Sequence, residues 1–167
     1  MANLDFFNTK DTIIALATPS GVGAIAVIRL SGKNSISITN QFFKGKNLTK
    51  QASHTVHFGT IRAGEKIIDE VLVTVFHEEK SYTKENSIEI STHGSPFIVQ
   101  EVLKLFLNNG VRLAQPGEFT KRAFINGQFD LSQAEAVADL IHSDSPTSHE
   151  LAMKQMRGGF SSDISQL

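Results

Sequence analysis

The sequence contains no cysteine, which excludes disulfides, thiolate metal sites and a thiol nucleophile within its 167 residues. It also lacks an excess of charge of either sign: 16 basic and 17 acidic residues leave a formal net charge of -1. Without an overall field, composition does not point to nucleic acid or an anionic membrane, although a local basic patch stays open. Long hydrophobic runs are missing as well. No stretch approaches the ~20 apolar residues of a membrane span, and "MANLDFFNTKD" at the start has no basic segment leading into an apolar one. These absences imply a soluble, cytoplasmic protein without a membrane partner. Its length suits one domain with a real core, or one domain and the beginning of another.

Between Thr12 and Leu30, two runs rich in β-branched residues flank "TPSGVG", which reads as two strands joined by a Pro/Gly loop. Gly21, Gly23 and Ala26 match G-x-G-x-x-A, the outline of a dinucleotide-binding turn. That turn needs its glycines to open a helix whose N-terminus faces the pyrophosphate. Here they lead into "AIAVI", which favours a strand and disfavours a dinucleotide-binding oxidoreductase.

Further along, Asn34 to Phe43 forms a short helix with Ile36, Ile38, Phe42 and Phe43 as apolar positions, followed by the polar loop "KGKNLTKQASH". "TVHFGTIRAGEKIIDEVLVTVF" gives two strands around Ala63-Gly64-Glu65-Lys66. In the second, Leu72, Thr74 and Phe76 alternate with Val71, Val73 and Val75, as expected of a central strand. The period then changes. Ser87, Glu89 and Ser91 alternate with Ile88 and Ile90, and after His93-Gly94 an N-cap at Ser95 and a proline at position 96 open a helix that Gly110 ends. A strand at Val111 to Leu113 and a turn at Pro116-Gly117 lead into the helical "EFTKRAFING". Strands mixed with helices and at least one hairpin imply an α+β, or mixed α/β, domain.

The character changes near Asp130. Ser132 and Glu135 have capping-box spacing, while Leu131, Ala134, Val137, Ala138 and Ile141 recur at helical intervals. Ser145 and Pro146 start a second helix, and "GGFSSDISQL" stops within an amphipathic pattern. Such faces need another layer. The expectation is therefore a domain over residues 1–129, then the start of a helical domain over 130–167 belonging to a longer chain.

Two charged residues interrupt strands. Arg29 sits among Val27, Ile28 and Leu30, where a guanidinium needs either an anionic ligand or a carboxylate of the same sheet. Glu89 can face water, or accept two parallel hydrogen bonds from an amino-pyrimidinone edge. His93-Gly94 can form a ligand-facing turn, though a lone histidine is more often structural, and no carboxylate–histidine–serine order supports catalysis. His54, His57 and His77 lack the helical spacing of a zinc site. Glu118 at the start of a helix, with Lys121 and Arg122 near its end, suits the helix macrodipole.

"ATPSGVGAIAVIRLSG", "IEISTHGSP", "QPGEFTKRAFINGQFDLSQAEAVADLI" and "GGFS" follow one another in an order that resembles the bacterial tRNA-modification GTPases of the MnmE (TrmE) family. Four motifs across nearly the whole chain make the resemblance specific. It implies the family's N-terminal domain, related in fold to folate-binding aminomethyltransferases, which binds a tetrahydrofolate one-carbon donor (5-formyl- or 5,10-methylene-tetrahydrofolate) and forms a homodimer. Carried over by motif, Arg29 matches the arginine of the family's folate site, and Glu89 the glutamate before its "HG" turn. A third position falls on Gln128, where the family commonly has lysine and a neutral amide can still hydrogen-bond. The resemblance also implies the flavoprotein MnmG (GidA) and tRNA as partners, with GTP, Mg2+ and K+ confined to a GTPase domain. No G-x-x-x-x-G-K-S string occurs in these residues, so they are not expected to hydrolyse GTP. A dimerisation scaffold without a retained folate site is the alternative.

Overall fold

The structure, a computed structural model, describes residues 11–158. It divides into two compact units: one runs up to Ser81 and resumes over Glu85–Pro116, and the other joins Tyr82–Lys84 to the residues from Gly117 onward.

In the first unit seven strands make one sheet: β1 (Ile13–Leu16), β2 (Ile25–Ser31), β3 (Phe43–Lys44), β4 (Thr55–Ala63), β5 (Lys66–Phe76), β6 (Ser87–His93) and β7 (Arg112–Leu113). Their order is β3-β4-β5-β6-β2-β1-β7. Each neighbouring pair is antiparallel except β1 and β7, which run parallel. With helices α1 (Ser35–Phe42) and α2 (Pro96–Leu107), the fold is α+β with a mixed sheet.

Local chemistry accounts for these elements. β2 alternates buried Ala26, Ile28 and Leu30 with half-buried Val27 and Arg29, the period of a strand with one covered face. β4 and β5 are joined by Gly64-Glu65, and Gly64 takes the left-handed conformation (φ 60) that a two-residue hairpin loop demands. Ser95 stands at the N-cap of α2 in extended conformation with Pro96 at the first helical position, but its hydroxyl makes no capping bond.

The core lies between the two helices and one face of the sheet: Ile36, Val99, Val102 and Phe106 pack with Ile28, Leu30, Val73 and Ile90. Phe42 and Phe106 meet edge to face, with ring centroids 5.3 Å apart. The other face, open among the described residues, is exposed in part. β5 is an interior strand, as its sequence implies, yet its second apolar row is not covered: Leu72 is 47% exposed, and its cross-strand partner Phe58 is 66% exposed. One difference from the sequence pattern is Phe43, which leaves the helix, extends as the edge strand β3 and packs its buried ring over Gly59. "KGKNLTKQASH" is loop apart from this strand's end and a 3-10 turn at Leu48–Lys50 that buries Leu48.

The second unit holds α3 (Glu118–Ile125), α4 (Leu131–Ile141) and α5 (Pro146–Met156). Its outlying segment is tied in by Tyr82 Oη and Thr120 Oγ1 at 2.9 Å, and by Asn126 Nδ2 donating to the Thr83 carbonyl at 2.7 Å. α4 begins earlier than the Ser132/Glu135 spacing implied. Asp130 is the N-cap and Gln133 completes the box: the Asp130 carboxylate accepts from the Gln133 N–H at 2.8 Å. Ser145 caps α5 as expected, with Ser148 as its box partner. Ala136 and Ala152 are buried, whereas Leu131, Ile141 and Leu151 remain exposed. The amphipathic stretch after Gly158 lies outside the described residues.

Candidate ligand site on the open sheet face

Arg29 on β2 and Glu89 on β6 are directly opposite one another in antiparallel register. Each alternates away from core residues, Ile28 and Leu30 on one strand, Ile88 and Ile90 on the other, so both belong to the open face. Arg29 Nε and Nη2 both donate to the same oxygen, Glu89 Oε1, at 3.0 and 2.7 Å. The carboxylate of the same sheet that Arg29 needed is therefore Glu89. Glu89 Oε2 accepts no hydrogen bond from any described residue, and the two side chains are 30% and 28% exposed. A carboxylate held by one oxygen and open at the other is a fixed acceptor for a ligand's N–H groups, and the neighbouring guanidinium balances its charge.

The open face continues along β6. Ser91 is flanked by Val27 on β2 and Leu72 on β5, and beyond it His93 pairs with Ile25. His93 is not a lone histidine. Its Nδ1 lies 2.7 Å from Asp69 Oδ1, and its main-chain N–H donates to Asp69 Oδ2 at 2.8 Å. Asp69 was not foreseen from sequence; the only hint is the acidic pair Asp69-Glu70 within the apolar run "IIDEVLV".

Gly94 follows, and it fixes the glycine loop between β1 and β2. Gly23 N–H donates to the Gly94 carbonyl at 2.9 Å, and Gly94 N–H donates to the Ala24 carbonyl at 3.2 Å. A Cβ on Gly94 would overlap the Gly23 carbonyl. The chain after Gly23 runs into β2 with no helix, so the glycines close a sheet end instead of presenting a helix N-terminus to a phosphate.

Gln128 belongs to the second unit. It follows Gly127 (φ 71) at the end of α3; its N–H donates to the Ala123 carbonyl at 2.8 Å, and its side chain is exposed. Of the three residues carried over by motif, the sheet brings Arg29 and Glu89 together, while Gln128 lies outside that sheet. In α3 the macrodipole is only part of the account of the charges: Arg122 is 2% exposed and donates from Nη2 to Glu118 Oε1 at 3.2 Å, a buried i,i+4 pair. Among the described residues no three His, Asp or Glu side chains are grouped to hold a metal ion, and no helix is long and apolar enough to cross a membrane.

Residues 12–128 match the family described as the GTP-binding protein TrmE N-terminus. The chain belongs to this family. The TrmE N-terminal match takes in the β1–β2 loop, both members of the Arg29–Glu89 pair, the His93–Asp69 pair and Gln128 as its last residue. The tRNA modification GTPase MnmE of Flavobacterium psychrophilum is 59% identical over 160 residues, covering 94% of this chain and 35% of that protein. That of Cytophaga hutchinsonii is 58% identical over the whole chain and 36% of its own length. The MnmE of Lactococcus lactis is 49% identical, covering 94% of this chain and 34% of that protein. The chain thus spans about a third of the length of the curated relatives it matches.

Proposed function

We propose that this chain is the folate-binding and dimerisation module of a GTP-dependent enzyme that modifies the wobble uridine of tRNA to a 5-carboxymethylaminomethyl-type base. The observation that carries the folate reading is the Arg29–Glu89 pair, with Glu89 Oε2 open on an uncovered sheet face. A pterin presents adjacent ring and amino N–H donors, which the lone pairs of Oε2 can accept while Oε1 stays bonded to Arg29. Arg29, whose Nε and Nη2 hold Glu89 Oε1, would orient that carboxylate for the ligand and balance its charge. Neither residue has to move a proton for this, so both are binding residues. Gln128 would supply a neutral contact where the family commonly has lysine.

On this reading the whole protein works in the cytoplasm with the flavoprotein MnmG and tRNA, and its GTP, Mg2+ and K+ belong to a GTPase domain outside these residues. The uncovered row of Val56, Phe58 and Leu72 supports association with a second copy, since apolar side chains standing together on one sheet face gain by being covered.

Calorimetry with 5-formyltetrahydrofolate on the 167-residue chain tests the folate reading. Binding at one site per chain, weakened at least about tenfold by Glu89→Gln, is the expected result. The absence of binding would favour the second reading, a dimerisation scaffold without a ligand. That alternative has its own support: Arg29 and Glu89 already neutralise one another.

A further inference from the structure

The open face is ordered along β6. At one end stand Arg29 and Glu89; in the middle Val27 and Leu72 flank Ser91; at the other end is His93. Glu89 and His93 are four residues apart on one strand, a separation of about 13 Å at roughly 3.3 Å per residue. The strip therefore runs from ionic through largely apolar to a second polar group.

That second group is oriented. Asp69, with its side chain only 7% exposed, spends both carboxylate oxygens on His93, one on the main-chain N–H and one on Nδ1. A carboxylate can only accept, so Nδ1 carries the hydrogen, and in the neutral ring Nε2 is left as an acceptor. The ring is 69% exposed, and Nε2 meets no donor among the described residues. A buried acid fixing one edge of an exposed imidazole is the arrangement that orients histidines at working sites, but here no nucleophile stands at the free nitrogen. The exposed Nε2 is thus held ready to accept from solvent or from a bound molecule.

The geometry points to His93 as a further ligand-contacting residue of this face, with Asp69 as its positioning residue. This inference rests on the folate reading above. A folate has the same sequence of chemistry as the strip: a donor-rich pterin, an aromatic p-aminobenzoyl ring and an amide-linked glutamate. With the pterin at Arg29 and Glu89, the ring lies over Val27 and Ser91, and His93 Nε2 accepts a hydrogen bond from the p-aminobenzoylglutamate half.

The test uses two probes on the full chain: 5-formyltetrahydrofolate, and 5-formyl-6-methyltetrahydropterin, which lacks the p-aminobenzoylglutamate half. His93→Ala should weaken the complete folate about three- to tenfold, the loss of one net hydrogen bond, and leave the pterin probe unchanged. Arg29→Ala should weaken both. Asp69→Asn should act like His93→Ala on the complete folate. In 15N spectra of the imidazole it should also shift His93 away from the Nδ1–H tautomer, a change that loss of packing alone would not produce. Equal weakening of both probes by His93→Ala, or no weakening of either, overturns the inference while leaving the folate site standing. If the unsubstituted chain binds neither probe, the folate reading itself fails, and this inference fails with it.

Discussion

Arg29 Nε and Nη2 converge on a single oxygen of Glu89, so the cross-strand pair consumes half of the carboxylate and leaves the other half for something else. That asymmetry separates this pair from a bidentate bridge serving only to tie two strands together.

The pair ranks the candidate site. Arg29→Ala should reduce affinity for 5-formyltetrahydrofolate by about 1.5–3 kcal/mol, the range for hydrogen bonds to charged groups, whereas Gln128→Ala should cost about 0.5–1.5 kcal/mol. Calorimetry on both variants checks the order. Equal losses would mean that Arg29 does not face the ligand.

Gln128 allows a gain as well as a loss. Its side chain is exposed and makes no hydrogen bond within the described residues. Gln128→Lys should therefore tighten a glutamate-tailed folate by about 0.2–1 kcal/mol at low ionic strength, with the gain shrinking as salt is added. Titrations at two salt concentrations decide it, and identical low-salt affinities would remove position 128 from the site.

The exposed row on β4 and β5 makes the association state testable. Because Phe58 and Leu72 are not part of the core, Leu72→Glu should change folding stability by no more than about 0.5 kcal/mol. It should nevertheless shift the chain from dimer to monomer in sedimentation at about ten micromolar. A dimer that survives Leu72→Glu and also Phe58→Glu would have to use another surface.

Two glycines should behave differently on substitution. Gly94→Ala places a Cβ against the Gly23 carbonyl, a backbone atom that cannot swing away, and should cost about 1–3 kcal/mol as over-packing does. Gly64→Ala meets open space and costs only the left-handed conformation, about 1–2 kcal/mol at most. Urea unfolding of both variants compares them. Only Gly94→Ala should also disturb the nuclear magnetic resonance signals of His93.

Much of this was legible before the structure. The hairpin at Gly64 and the strand after Gly23 follow from β-branched runs broken by glycine, which are local signals. Arg29 and Glu89 stood out as charges within strands, and the motifs marked both as site residues. Their pairing was not legible as such, because β6 comes to lie between β5 and β2, a long-range choice of strand order that local pattern does not encode. Asp69 escaped for the same reason: its partner is 24 residues away. The apolar second row of β5 implied a strand buried on both sides, but both helices went to one face and left Leu72 in the open.

The mutual hydrogen bonds of the Gly23 and Gly94 segments have a dynamic consequence. The amide of each glycine is satisfied only by the other's segment, so neither can meet solvent unless the clasp at that end of the sheet releases as a unit. Their amide hydrogens should exchange with deuterium at matching free energies of opening, although the two glycines are far apart along the chain. The tip of the β1–β2 loop, where Val22 is exposed, would exchange independently and faster.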